Sequence, residues 1–323
     1  MAMNPYLGHP SQLCGVEEFR IVGGKGDGMR LFQIRNAAGL MLTVSADRCA
    51  DISRISFKGD NIGYFSPCGY VAPAYYDKDG LEFLKSFTAG FMTTCGFTNV
   101  GGPTDDGGEY AGLHGNIGHT PCDRIWWSED DEKLQIHAFI SDSSIFSHKL
   151  VMHRTITVSK FENVFSVEDT VENEGDSASP LMLLYHVNMG YPLLSETAEI
   201  KIPSCKVEPA DQHAAEGMDE WDQFPKPIEN CAEQCYFHQF DGMVKASIFN
   251  PAIGKGLEIS GNTDTLDYLT EWKMPGVRDY VLGLEPGNCP PVSRAGARER
   301  GVLKFIEPGE KKTYKFSVRF FEK

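Results

Sequence analysis

Apolar residues recur at every second position along much of the chain. In Phe165-Ser166-Val167-Glu168-Asp169-Thr170-Val171 the positions 165, 167 and 171 keep that period. It is the period of a strand with one buried face. Phe19–Val22, Met29–Arg35 and Leu40–Val44 are short runs parted by the glycine-rich stretch 23–28 and by Asn36 to Gly39. Such stretches supply turns where positive φ is useful, so the opening reads as an antiparallel meander. Arg154–Val158, Leu181–Val187, Val244–Asn250, Gly256–Ser260, Tyr280–Leu284, Gly301–Ile306 and Lys312–Phe320 are further expected strands. Glu172 to Asp176 reads as a hairpin turn, and Glu307-Pro308-Gly309-Glu310 as a tight turn.

Helical signals are few. Asp79–Phe87 predicts about two turns capped by Asp79, and Ala210–Trp221 a second short helix. Many short strands without strand–helix–strand alternation predict an all-β fold, a large antiparallel β-sandwich with few short helices. No repeat or linker divides the chain, so residues 1–323 are expected to form a single domain.

Composition narrows the function. Residues are 41% hydrophobic and 23% charged, which allows a large core. The formal net charge of −15 argues against nucleic acid or an anionic membrane as partner, and says little about a neutral sugar. No apolar run nears the roughly 20 residues needed to span a bilayer, and Met1 to Glu18 lacks a secretory pattern. Nine scattered cysteines fit reduced thiols, so a cytoplasmic location is expected. Cys231 and Cys235 have no second pair at zinc-like spacing.

Three segments carry candidate chemistry. In Gly112-Leu113-His114-Gly115-Asn116-Ile117-Gly118-His119, glycines flank a histidine and leave room for a ligand. The bland reading is a surface loop. In Leu183-Leu184-Tyr185-His186-Val187-Asn188, an apolar strand ends on a histidine able to exchange protons near neutrality. The bland reading is a hydrogen-bonded core histidine. In Tyr280-Val281-Leu282-Gly283-Leu284-Glu285-Pro286-Gly287, an apolar strand runs into a carboxylate. Burial there would raise its pKa toward that of a general base, whereas a solvent-facing glutamate would do nothing.

In this order and at these separations, Leu113-His114-Gly115, His186 and Glu285 resemble the aldose 1-epimerase (galactose mutarotase-like) superfamily. The runs 45–52 (Ser45 to Ile52), 94–101 (Thr94 to Gly101) and Glu271-Trp272-Lys273 resemble its DUF4432 branch. The resemblance covers nearly the whole chain. It implies a supersandwich with a sugar-binding groove. It also implies Glu285 as general base at the anomeric hydroxyl, His186 as general acid toward the ring oxygen, and His114 as a residue that binds or polarises the sugar. Mutarotation needs one proton removed from the C1 hydroxyl and one delivered to O5, with no redox cofactor and no obligatory metal. A resting Glu285 carboxylate and His186 imidazolium are expected.

Arg48, Asn99, Trp272 and Lys273 are further candidates for substrate binding. Arginine grips vicinal hydroxyls through two donors, although acids flanking Arg48 equally suggest a structural network. Trp272 offers an apolar platform for a sugar face, and Lys273 a polar contact. Asn99 stands in a stretch lacking the asparagine–arginine segment of better-known mutarotases. Arg294, Arg298 and Arg300 could hold a substrate phosphate or acid, or balance nearby acids on a loop. Other readings are a different sugar isomerase or lyase, metal-assisted or not, and a non-catalytic carbohydrate-binding module. The expected partner is a small sugar; a homodimer is left open.

Overall fold

The computed structural model describes residues 5–323 and is built almost entirely of antiparallel strands. The larger sheet has eleven strands. It begins with the expected meander: Gly15–Arg20, Arg30–Arg35, Leu40–Ser45 and Asp51–Phe57. It continues through Met92–Phe97, Met182–Met189, Tyr280–Gly287, Tyr268–Pro275 and Gln234–Gln239 to Lys206–Pro209. The second sheet has eight strands, with Lys255–Asn262, Lys311–Glu322, Val164–Asn173, Lys149–Ser159 and Lys133–Ser143 side by side in its middle. Alternation follows from burial: Phe165, Val167 and Val171 point inward, as do Leu134, Ile136, Ala138 and Ile140. One hydrophobic cluster joins both sheets, with Phe32, Tyr185 and Leu284 from the first and Ile156, Val167 and Phe316 from the second.

A charged knot sits within that core. Asp169 occupies the inward register beside Val167 and Val171. It accepts hydrogen bonds from Arg154 Nε at 2.9 Å and Nη2 at 2.6 Å, and from the Tyr185 hydroxyl at 2.7 Å. Arg154 also donates to Asp51 at 2.8 Å, to the Cys49 carbonyl at 2.8 Å and to the Thr94 hydroxyl at 2.8 Å. All five guanidinium N–H groups are thereby used, which is the condition for burying such a group without a large penalty.

Several expectations change. Helix is confined to Glu82–Lys85, a single 3₁₀ stretch, where Asp79–Phe87 was predicted. Gly80, at φ 54°, breaks the chain direction after Asp79, which therefore caps nothing. The second helix shrinks to Gln212–Glu216, capped by Asp211 and followed by a 3₁₀ turn at Met218–Glu220. An unforeseen helix, Arg294–Glu299, holds the arginine cluster. It shortens the expected strand 301–306 to Phe305–Ile306, because Val302 and Leu303 fold back to hydrogen-bond Ala297. Glu172 to Asp176 is a crossover rather than a hairpin: Val164–Asn173 pairs with Lys149–Ser159 and Lys311–Glu322, and the chain moves to the other sheet. The tight turn at Glu307 is present, closed by the Glu310 N–H on the Glu307 carbonyl. None of the nine cysteines is in a disulfide. Among the described residues no helix is long and apolar enough to cross a membrane.

Candidate active site

Three neighbouring strands of the larger sheet build the floor of a cleft. On Met182–Met189 the two-residue period sends Tyr185 and Val187 into the core and leaves His186 and Asn188 on the other face. Glu285 on Tyr280–Gly287 shares that face, as do Thr270 and Trp272 on Tyr268–Pro275. Thr270 and Glu285 are cross-strand partners, and Trp272 stands opposite Gly283. A side chain at 283 would collide with the carboxyl group: a Cβ there would lie 2.3 Å from Glu285 Oε1. Glycine at that position lets the Glu285 side chain lie along the strand. The walls come from Phe83, Phe87, Leu113 and His114, and the enclosed space is about 370 Å³.

His114 has φ 57°, and the next residue must be glycine, since a Cβ at Gly115 would lie 2.1 Å from the Gly96 carbonyl oxygen. The tight loop thus seats His114 against Phe83 and His186, with ring centroids 5.7 Å from each. Hydrogen bonds assign opposite tautomers to the two histidines. His114 Nδ1 accepts from the Gly101 N–H at 3.3 Å, so its proton is on Nε2. His186 Nδ1 lies 2.6 Å from Asn188 Oδ1. The Asn188 amide nitrogen donates to the Gly90 and His186 carbonyls, so its oxygen is the acceptor and His186 carries its proton on Nδ1. One imidazole therefore offers a donor, the other an acceptor.

Glu285 Oε1 is 3.1 Å from His186 Nδ1. Its geometry there makes no hydrogen bond, and this buried oxygen has no partner. The buried Thr270 hydroxyl has none either. Burial pushes Glu285 well above the usual carboxylate range, and the nearby Glu233 adds to the shift. Burial pulls His186 down to about 3, helped by His114 and opposed by the bond to Asn188. Burial alone takes His114 to about 4. Desolvation thus disfavours the charged form of both partners. Burial therefore favours a carboxylic acid and a neutral imidazole over the expected carboxylate and imidazolium.

Four candidates meet in the cleft: His114, His186, Glu285 and Trp272. Trp272 is held by its indole N–H, which donates to Glu233 at 2.7 Å, and its ring stands edge-on to His186 at 5.0 Å. Three candidates for substrate contact lie elsewhere. Arg48 is buried and donates to the carbonyls of Val71 at 3.2 Å, Ser86 at 2.8 Å and Gly118 at 3.1 Å, besides contacting His119 Nε2 at 2.9 Å. Asn99 is fully buried; it donates to the Gly101, Gly102 and Gly112 carbonyls and accepts from the Arg294 N–H. These two are struts behind the cleft wall, because Asn99 is engaged by backbone groups and Arg48 by backbone carbonyls and the His119 ring. Lys273 follows Trp272 by one position and so faces the other way, donating to the Glu220 carbonyl at 2.7 Å. Arg294 pairs with Asp106 and Glu109, and Arg298 with Asp106.

Asn188, Thr270 and Glu233 were not singled out from the sequence. The first two stand two positions from His186 and Trp272, a spacing that places them on the same strand face. Glu233 comes from the segment just before the strand Gln234–Gln239 and gives no local signal. Among the described residues, no three His, Cys, Asp or Glu side chains are placed to hold a metal ion together.

Solved structures share this architecture. A Klebsiella pneumoniae protein provisionally described as an aldose 1-epimerase superposes with a TM-score of 0.87 at 26% identity, over 95% of this chain and 83% of that one. A galactose mutarotase-like protein from Clostridium acetobutylicum gives 0.69 at 13% identity, over 97% and 100%. Galactose 1-epimerase from Lactobacillus acidophilus gives 0.64 at 16% identity, over 96% and 99%. The fold is therefore galactose mutarotase-like. No curated protein matches the sequence. Residues 26–320 match the family described as a domain of unknown function, DUF4432, and the chain belongs to that family.

Proposed function

We propose that this protein interconverts the anomers of an aldose, with Glu285 and His186 as the acid–base pair. The observation that carries the reading is their 3.1 Å approach on the floor of an otherwise largely apolar cleft. Between them they hold one transferable proton. With that proton on Glu285 at rest, Glu285 delivers it to O5 while His186 Nε2 takes the proton of the C1 hydroxyl. The C1–O5 bond breaks and C1 becomes an aldehyde. Rotation about C1–C2 presents the other face, and the reverse transfers close the ring. The resemblance to known mutarotases assigns the two roles the other way round. The difference follows from which partner holds the proton before the sugar enters.

His114 donates from Nε2 to an oxygen that gains charge as the ring opens. Trp272 carries the apolar face of the sugar. A non-catalytic binding module would need hydrogen bonds but no acid–base pair, so the retained pair favours an enzyme. Polarimetry or NMR exchange on freshly dissolved aldoses tests the proposal. Acceleration by the wild-type chain and its loss in Glu285→Gln is the expected result. No acceleration across a broad panel would overturn it.

A further inference from the structure

The cleft is uneven in both polarity and charge. Its floor carries two buried oxygens without partners, Glu285 Oε1 and Thr270 Oγ1. They ask for ligand hydroxyls. One lip is different: Leu81 and Leu84 line the same cleft yet are 62% and 51% exposed. Leucines turned onto a cavity leave apolar surface for a ligand to cover. Glu233 at the rim and Glu285 on the floor bring carboxyl groups, and no lysine or arginine lines the cleft. Nearby cations are committed elsewhere. Arg48 serves backbone carbonyls, Lys273 lies on the opposite face, Lys85 pairs with Glu82, and Arg294 and Arg298 pair with Asp106. A phosphate or carboxylate on the sugar would be desolvated beside acids with no counter-charge.

We infer that the ligand is an uncharged deoxysugar, bound with its deoxygenated edge against Leu81 and Leu84 and its hydroxyls toward Thr270 and Glu233. The placement of its anomeric carbon at His186 and Glu285 rests on the proposed function; the ligand class rests on the lining alone. A hydroxymethyl group at the leucine lip would turn its hydroxyl onto side chains that cannot accept it. A methyl group there would be covered on the same surface without that loss.

Equilibrium binding to the wild-type chain separates the two ideas, because anomers at equilibrium need no turnover. The probes are 6-deoxyhexoses, the parent hexoses, hexose 6-phosphates and hexuronates, titrated by calorimetry or ligand-observed NMR, with anomer exchange recorded on the same samples. A 6-deoxyhexose should bind at least about fourfold tighter than its parent, the scale of one buried methyl or methylene. The charged sugars should bind at least about tenfold more weakly than the deoxysugar. The double variant Leu81→Asn, Leu84→Asn should bring deoxysugar and parent to parity while parent binding persists; both residues are exposed, so the fold should tolerate the change. Tighter binding of the parent, the phosphate or the uronate, an unchanged preference in the double variant, or no binding by any class would overturn the inference. A deoxysugar preference without anomer exchange would remove the catalytic proposal and leave the ligand class standing. Exchange led by a parent hexose or a charged sugar would do the reverse.

Discussion

Tyr185 and His186 are neighbours on one strand, yet they serve two buried polar clusters on opposite faces of the sheet. Tyr185 belongs to the Arg154 knot, where every guanidinium N–H and both carboxylates are engaged. His186 belongs to the cleft floor, where Glu285 Oε1 and Thr270 Oγ1 have no partner. Burial is comparable; saturation is what differs. A saturated cluster has nothing left to offer a ligand and acts between the sheets. An unsaturated one holds bonding capacity in reserve, at a cost to stability.

The contrast can be tested by removing members of each cluster. The largest effect is expected in the knot. Arg154→Met strands Asp51 and Asp169 in the core, and chemical denaturation should show a loss of about 3–5 kcal/mol. A loss under about 1 kcal/mol would break the distinction. Glu285→Gln should instead leave the fold intact and slow anomer exchange by roughly 10²–10⁴. Asn188→Leu removes the acceptor that keeps the His186 proton on Nδ1; exchange should slow by about tenfold, with a displaced pH–rate profile that a merely structural residue would not give. The smallest effect belongs to Thr270→Val. Deleting an unpartnered hydroxyl should leave stability unchanged or raise it by up to about 1 kcal/mol, while sugar binding weakens by about fivefold.

Glu285 also makes stability depend on pH in a direction that can be worked out. Its folded-state pKa is raised, so above the ordinary value near 4.5 the unfolded chain has released a proton that the folded chain still binds. Stability therefore falls as pH rises from that value toward the folded pKa. Glu285→Gln lacks this loss. Its melting temperature should match wild type near pH 4 and exceed it increasingly toward neutrality. A constant difference across that range would mean that Glu285 is ionised in the fold.

The fold was largely legible because alternation is local. Phe165 to Val171 shows its inward face in seven letters, and even Asp169 keeps the inward register. Crossovers were not legible: Glu172 to Asp176 has the composition of a hairpin, and only the partner strands reveal that the chain leaves the sheet. At the site, local sequence marked His186 and Glu285 merely as polar residues near strand ends, and the ordered resemblance brought them together with His114. Arg48, Asn99 and Lys273 were assigned to the substrate on residue type. Their fate was set by carbonyls at Val71, Ser86, Gly112 and Glu220, and bonds to backbone leave no trace in residue type. Leu81 and Leu84 fall within the two helical turns expected over Asp79–Phe87; helix is limited to the 3₁₀ stretch Glu82–Lys85, and both leucines stand at the mouth of the cleft.

Arg48 has a kinetic consequence. Its planar fork pins three separate backbone segments, at Val71, Ser86 and Gly118, to one another. The wall carrying Phe83 and Phe87 therefore cannot swing away from the His114 loop without breaking several hydrogen bonds at once. Such a cleft stands open and shaped before a sugar arrives. Association should then proceed in a single concentration-dependent phase, with no slower closing step behind it. Arg48→Lys, which replaces the fork by one point of charge, should release the wall and introduce that second phase.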